Sequence, residues 1–157
     1  MLAPNSTPFA EEARMTLFDR LAESLAAPLD AAGRVLIAVL FVVAGFGKIG
    51  GYEGTQAYMA SQGVPGALLP LVILLELGGG LAIVVGLLVR PIALALAGFS
   101  IASALLFHAA FDDPGERIQF MKNLAIAGGF LFLFLRGPGP WSVDAVLLRR
   151  RTGGAAG

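Results

Sequence analysis

Four long apolar runs, separated by short polar breaks, dominate the chain; they cover 31–50, 68–89, 91–111 and 118–135. A bilayer core of roughly 30 Å is crossed by about 20 apolar residues in helical form, so each run is long enough to span. The runs are continuously apolar where a membrane β-barrel would alternate. In lipid, a helix then satisfies every backbone hydrogen bond within its own segment. The expected fold is all-α, an integral membrane four-helix bundle built from residues 31–144. Only Arg90 separates the second and third runs, and Pro91 suits a first helical turn, which predicts a tight antiparallel hairpin.

Two flanking segments behave differently. Thr7-Pro8 followed by Glu11 and Glu12 has the form of a helix start. Phe9, Ala13, Leu17, Leu21 and Leu25 then recur every four residues, with Arg14, Asp19, Arg20 and Glu23 elsewhere around the helix. Residues 1–30 are therefore expected to form an amphipathic helix on the membrane surface. They lack the compact apolar core of a signal peptide. Residues 145–157, with Arg149-Arg150-Arg151 followed by small residues, predict a disordered basic tail near anionic lipid.

The basic residues give the bundle a direction. With four spans both termini share a side, and that side collects Arg14, Arg20, Arg34, Arg90, Arg136, Arg149, Arg150 and Arg151. The other side keeps Lys48, Arg117 and Lys122. By the positive-inside rule both termini are expected in the cytoplasm.

Composition sharpens this picture. The chain is 57% hydrophobic and 14% charged, where soluble domains carry about a quarter charged residues. That excludes an ordinary soluble globule. Eleven bases balance eleven acids, which leaves no electrostatic case for nucleic acid. The chain has no cysteine, which rules out disulfides, Cys-ligated zinc and Cys-ligated iron–sulfur clusters. A single histidine and no Glu-x-x-His pattern give no expectation of a metal site.

The candidate chemistry lies in the few polar residues inside the runs. Glu76 sits eight residues into the second run, about 12 Å along the helix. A carboxylate at that depth costs several kcal/mol unless paired or protonated, and such residues face the bundle interior. The glycines 78–80 follow it, and Gly78, Ala82 and Gly86 repeat a small-xxx-small spacing suited to close helix packing. Lys48, His108, Lys122 and Asn123 fall in the same half of the membrane. Because Cα–Cβ bonds tilt toward a helix's N-terminus, Lys48 and His108 lean toward the depth of Glu76, while Lys122 leans away. Lys48 is thus the first expected partner, His108 the second and Lys122 the third. Arg34 and Lys48 are fourteen residues apart, as are Lys122 and Arg136. Snorkelling to the headgroups is the plain reading of such edge cations. Asp144 shares an edge with Arg34 and Arg90, which suggests an ion pair there. Trp141 suits a headgroup anchor.

Taken together these residues resemble the DoxX family. The resemblance rests on Arg34 and Ala44-Gly45-Phe46-Gly47-Lys48, Glu76-Leu77-Gly78-Gly79-Gly80, and Gly86-Leu87-Leu88-Val89-Arg90. It continues through His108, Lys122-Asn123-Leu124-Ala125 and Gly137-Pro138-Gly139-Pro140-Trp141-Ser142-Val143-Asp144. It implies a multi-pass bacterial inner-membrane protein related to the DoxD subunit of thiosulfate:quinone oxidoreductase. A quinone-linked redox subunit is the first functional expectation, with Glu76, Lys48 and His108 as catalytic candidates. The same three, together with Lys122 and Asn123, are the candidates for contact with a quinone or similar lipophilic molecule. Two other readings stand beside it: an accessory or scaffold subunit packed against a membrane protein partner or a second copy, and a small-molecule carrier.

Overall fold

The computed structural model describes residues 16–153. The helix start read at Thr7-Pro8 and the apolar positions Phe9 and Ala13 lie outside that range. A short helix α1 covers Leu17–Ser24. Thr16 caps it: its hydroxyl accepts from the Asp19 amide at 3.2 Å, and the Asp19 carboxylate accepts from the Thr16 amide at 2.8 Å. This reciprocal box satisfies donors that the first turn leaves free. Those hydrogen bonds from Thr16 hold the Asp19 carboxyl below its ordinary value.

Four helical segments are long and apolar enough to cross a membrane: Ala26–Gly50, Gly66–Val85, Val89–Phe107 and Pro114–Arg136. The first is α2, Ala26–Gly50, and it begins five residues before the expected start. A helix over the connecting segment, α3, covers Tyr52–Ser61. The second span is compound: a tight turn at Gly66–Leu68, α4 over Leu69–Ile73, a widened π turn over Leu74–Gly79, and α5 over Gly80–Val85. Helix α6, Val89–Phe107, and helix α7, Pro114–Arg136, complete the bundle. Asp113 caps α7 by accepting from Gly115 N at 2.6 Å and Glu116 N at 3.2 Å, with Pro114 in the first turn.

Two expectations are corrected. The tail expected to be disordered from residue 145 is instead helical through Gly153, with helix α8 covering Val143–Gly153, and residues 154–157 lie outside the described range. Ser142 starts it, its hydroxyl accepting from the Ala145 amide at 3.1 Å. The second and third spans join at Gly86–Leu88 and not at Arg90, because Gly86 (φ 75°) and Leu88 (φ 48°) both adopt left-handed backbone there. That conformation is cheap for glycine and costly for leucine. Arg90 lies inside α6.

The core is a set of alanines, branched aliphatics and aromatics: Ala38, Phe41, Ile83, Val89, Ala93, Leu96, Ala97, Ala127 and Phe130. The Phe41 ring meets Phe130 edge-on at 5.3 Å and Phe99 at 6.4 Å. Such contacts carry the packing because lipid is as apolar as leucine, so burial alone gives little drive. Outward-facing Leu36, Phe46, Leu74 and Phe132 are 67–76% exposed, which suits a lipid-facing surface.

Among the described glycines, Gly45 lies tightest against another backbone. A Cβ there would lie 2.7 Å from the Leu77 amide nitrogen and 3.1 Å from the Glu76 Cβ. Gly80 plays the matching part on the second span, with Val42 2.9 Å from the position of a Cβ. The intimate face is therefore Gly45 against Glu76–Leu77 and Gly80 against Val42. Of the expected Gly78, Ala82, Gly86 stripe, Gly86 is used to turn the chain.

Candidate functional site

On α2 the buried positions are Arg34, Ala38, Phe41 and Gly45, spaced by four, three and four residues. Lys48 continues that stripe by three. This is the periodicity of one helix face, so the stripe brings Lys48 inward at the end of α2. Across from it the π turn carries Glu76, which is 4% exposed. Lys48 Nζ donates to Glu76 Oε1 at 2.9 Å and lies 2.7 Å from Oε2. Lys48 is thus the partner of Glu76, as its side-chain direction predicts. Pairing offsets the several kcal/mol that a lone carboxylate at this depth would cost. Glu76 Oε2 is buried and has no donor in hydrogen-bonding alignment.

The pair lies in the wall of a cavity of about 300 Å³. His108 lines the same cavity, so the structure brings Glu76, Lys48 and His108 to one space. The remaining lining is largely apolar, with Met59, Val72 and Phe99 among it, and the hydroxyls of Thr55, Tyr58 and Ser103 add polar points. Helix α3 supplies Thr55, Tyr58 and Met59, which makes the connecting segment one wall of the site. The Tyr58 ring stacks on Phe107 at 5.6 Å and 27°.

His108 ends α6, and its Nδ1 is 2.6 Å from Glu116 Oε2 in the first turn of α7. Sequence reading missed Glu116, which belongs to what looks like a solvated acidic turn; its only signal is its place eight residues after His108. The pair links the cavity lining to a carboxylate whose side chain is 37% exposed.

Lys122 and Asn123 do not join this site. Lys122 is exposed and donates to Gln119 Oε1 at 2.7 Å, and Asn123 donates to the Gln119 carbonyl at 3.0 Å. The inward positions of α7 are Ala127 and Phe130, so its phase turns Lys122 away.

The opposite end of the bundle holds the other buried cation. Arg34 is 2% exposed, so it does not snorkel. Its Nη2 donates to the Trp141 carbonyl, while Nε and Nη1 are buried without hydrogen-bond partners. A Cβ at Gly86 would collide with Arg34 Nη1 and with Ser142, which explains a glycine at that turn beyond its positive φ. Among the described residues no arginine reaches salt-bridge distance of Asp144, although its charge acts on Arg34. Its carboxylate instead accepts from the Leu88 and Val89 amides at 2.9 and 3.0 Å, capping α6 and holding the left-handed Leu88. Its own amide donates to the Gly86 carbonyl at 3.0 Å. The segment 137–144 is thus a clasp across the second and third spans. Trp141 is 63% exposed.

Four apolar spans and a buried ion pair facing an apolar cavity define a small multi-pass membrane protein with a candidate ligand site. Residues 29–109 match the DoxX family. The chain belongs to that family. It is 55% identical over 117 residues to inner membrane protein YqjF of Escherichia coli, covering 74% of this chain and 90% of that protein. It is 36% identical over 118 residues to inner membrane protein YphA of the same organism, covering 71% of this chain and 84% of that one. No solved structure matches the chain.

Proposed function

We propose that this DoxX protein is an inner-membrane subunit of a redox system, and that the cavity beside Glu76 binds a quinone or a similar lipophilic ring. The supporting observation is the cavity itself. At about 300 Å³ it stands at the lower bound of small-molecule sites, and its mostly apolar wall with a few convergent polar groups is the usual make-up of one. Lys48 offers a charged donor to a carbonyl oxygen, and the unaligned Glu76 Oε2 offers an acceptor to a hydroxyl. The His108 imidazole has ring nitrogens that can give or take a proton, and Glu116 continues the path to a more exposed carboxylate. A quinone supplies the electron chemistry when bound; the protein's residues bind it, orient it and hold protons.

The relatives are both named as inner membrane proteins, which supports the same membrane here. The distribution of basic residues supports cytoplasmic termini, which places the Glu76 cavity toward the outer side. On this reading the exposed Leu17, Phe18 and Leu21 of α1 rest on the cytoplasmic surface of the bilayer.

The test is to purify the protein in mild detergent, extract its lipophilic contents for mass spectrometry, and follow thermal stability with short-chain quinones. A co-purifying quinone, or a rise in Tm that Glu76→Gln abolishes, is the expected result. A chain that carries no such molecule and gains nothing from quinones refutes the proposal.

A further inference from the structure

A second cavity, of about 270 Å³, lies between α2 and α7 at the end of the bundle away from the Glu76 site. Asp30, Arg34 and Arg136 line one end of it, where α2 starts and α7 stops. Ile37 and Gly129 also line it, each seven residues further into the span, or about 10 Å deeper. A Cβ at Gly33 would have nothing within 4 Å, and the flanking Leu29 and Phe132 are 58% and 76% exposed. The cavity is therefore a groove that opens toward lipid, polar at the headgroup level and apolar below.

Its lining carries two cations and one acid. Arg136 Nε donates to Asp30 Oδ1 at 2.6 Å, which commits the acid lining the groove. Arg34 is 2% exposed, with a neutral carbonyl as its hydrogen-bond partner and two buried nitrogens unpartnered; the charges of Asp30 and Asp144 act on it, but neither carboxylate lies within salt-bridge distance. A buried guanidinium is costly unless an anion compensates it. Arg136, with its side chain 63% exposed, has donors to spare at the mouth.

We propose that this groove holds the phosphate of one membrane phospholipid, with an acyl chain lying along Ile37 and Phe132. Arg136 donates to the phosphate directly and Arg34 holds it through its field. Asp30 competes with the phosphate for Arg136. The site is independent of the quinone reading and lies at the other end of the bundle.

The experiment uses the full chain in mild detergent, with Tm and native mass spectrometry read on adding phosphatidylglycerol, diacylglycerol or inorganic phosphate. Phosphatidylglycerol is expected to bind and to raise Tm, while diacylglycerol and inorganic phosphate do neither. Arg136→Gln is expected to weaken phosphatidylglycerol binding about tenfold, the value of a charge-assisted hydrogen bond. Asp30→Asn breaks the same ion pair yet is expected to strengthen binding, because it frees Arg136. Each variant is compared with and without lipid, so a general loss of stability does not mimic the effect. If both variants shift lipid binding alike, the pair is structural and the proposal fails. If inorganic phosphate stabilises as well as the lipid, the groove is a free-phosphate site and the lipid assignment is overturned.

Discussion

Arg34 and Lys48 occupy the same inward stripe of α2, yet the two ends of the bundle treat their cation differently. At the Lys48 end the charge meets a carboxylate, part of the ammonium stays accessible, and an apolar cavity adjoins the pair. At the Arg34 end the cation is buried, meets a backbone carbonyl of the 137–144 clasp and only borders the second cavity. A buried charge held by backbone fixes how the chain ends pack. A charge pair left beside a cavity can be shared with a guest. The difference separates a charge placed to touch a guest directly from one that can act on a guest only through its field.

Breaking the pair should have the largest effect. Lys48→Met leaves the Glu76 carboxylate buried and alone, and is expected to cost about 3–5 kcal/mol in detergent unfolding experiments. The double variant Lys48→Met, Glu76→Leu should recover most of that stability, because apolar replacement of both partners is nearly neutral. It should recover no quinone binding. Recovery of both would erase the contrast between the two ends.

Asp144→Ala comes next. It strips two amide caps from the turn that holds Leu88 left-handed, an expected loss of about 2 kcal/mol. Protease cleavage between the second and third spans should rise with it, while quinone binding stays unchanged. Arg34→Met should cost less, about 1 kcal/mol, because it frees a neutral carbonyl and leaves no orphaned ion. A loss as large as that of Lys48→Met would show that the two ends are alike.

The smallest effect concerns α1. The Asp19 carboxyl is held below its ordinary value by Thr16, so its capping contribution is full above the ordinary carboxylate range. It fades as pH falls through the lowered value. Amide protection at Thr16 and Asp19, taken relative to the intrinsic exchange rate, should fall only at acid pH, with α2 unaffected.

The sequence disclosed the spans well, because long apolar runs leave lipid-crossing helices as nearly the only choice. It disclosed the Lys48–Glu76 pair too, since side-chain tilt and depth suffice when both partners sit on predictable helices. His108 was readable as a member of the site and Glu116 was not, because an acidic turn looks solvated until α6 and α7 are placed side by side. Lys122 and Asn123 were misplaced for a related reason. Depth in the membrane is legible from residue count, but rotation about the helix axis depends on which face packs, and Ala127 and Phe130 set that face for α7. Arg34 was misread as snorkelling because its partner is a carbonyl 107 residues away, for which side-chain chemistry gives no sign.

The π turn at Leu74–Gly79 has a consequence for tolerance to insertions and deletions. It acts as a phase defect that sets the rotation of Glu76 against the rest of the second span. With α5 pinned by the Gly80–Val42 contact, removing one residue from this window would let it relax to an ordinary helix. The wide turn absorbs about one extra residue, so the flanks would keep their phase and the span would remain apolar and membrane-crossing. A single-codon deletion here would therefore spare both flanks, whereas one within the regular α5 helix would swing everything before it, Glu76 included, by about 100° relative to the rest of the bundle.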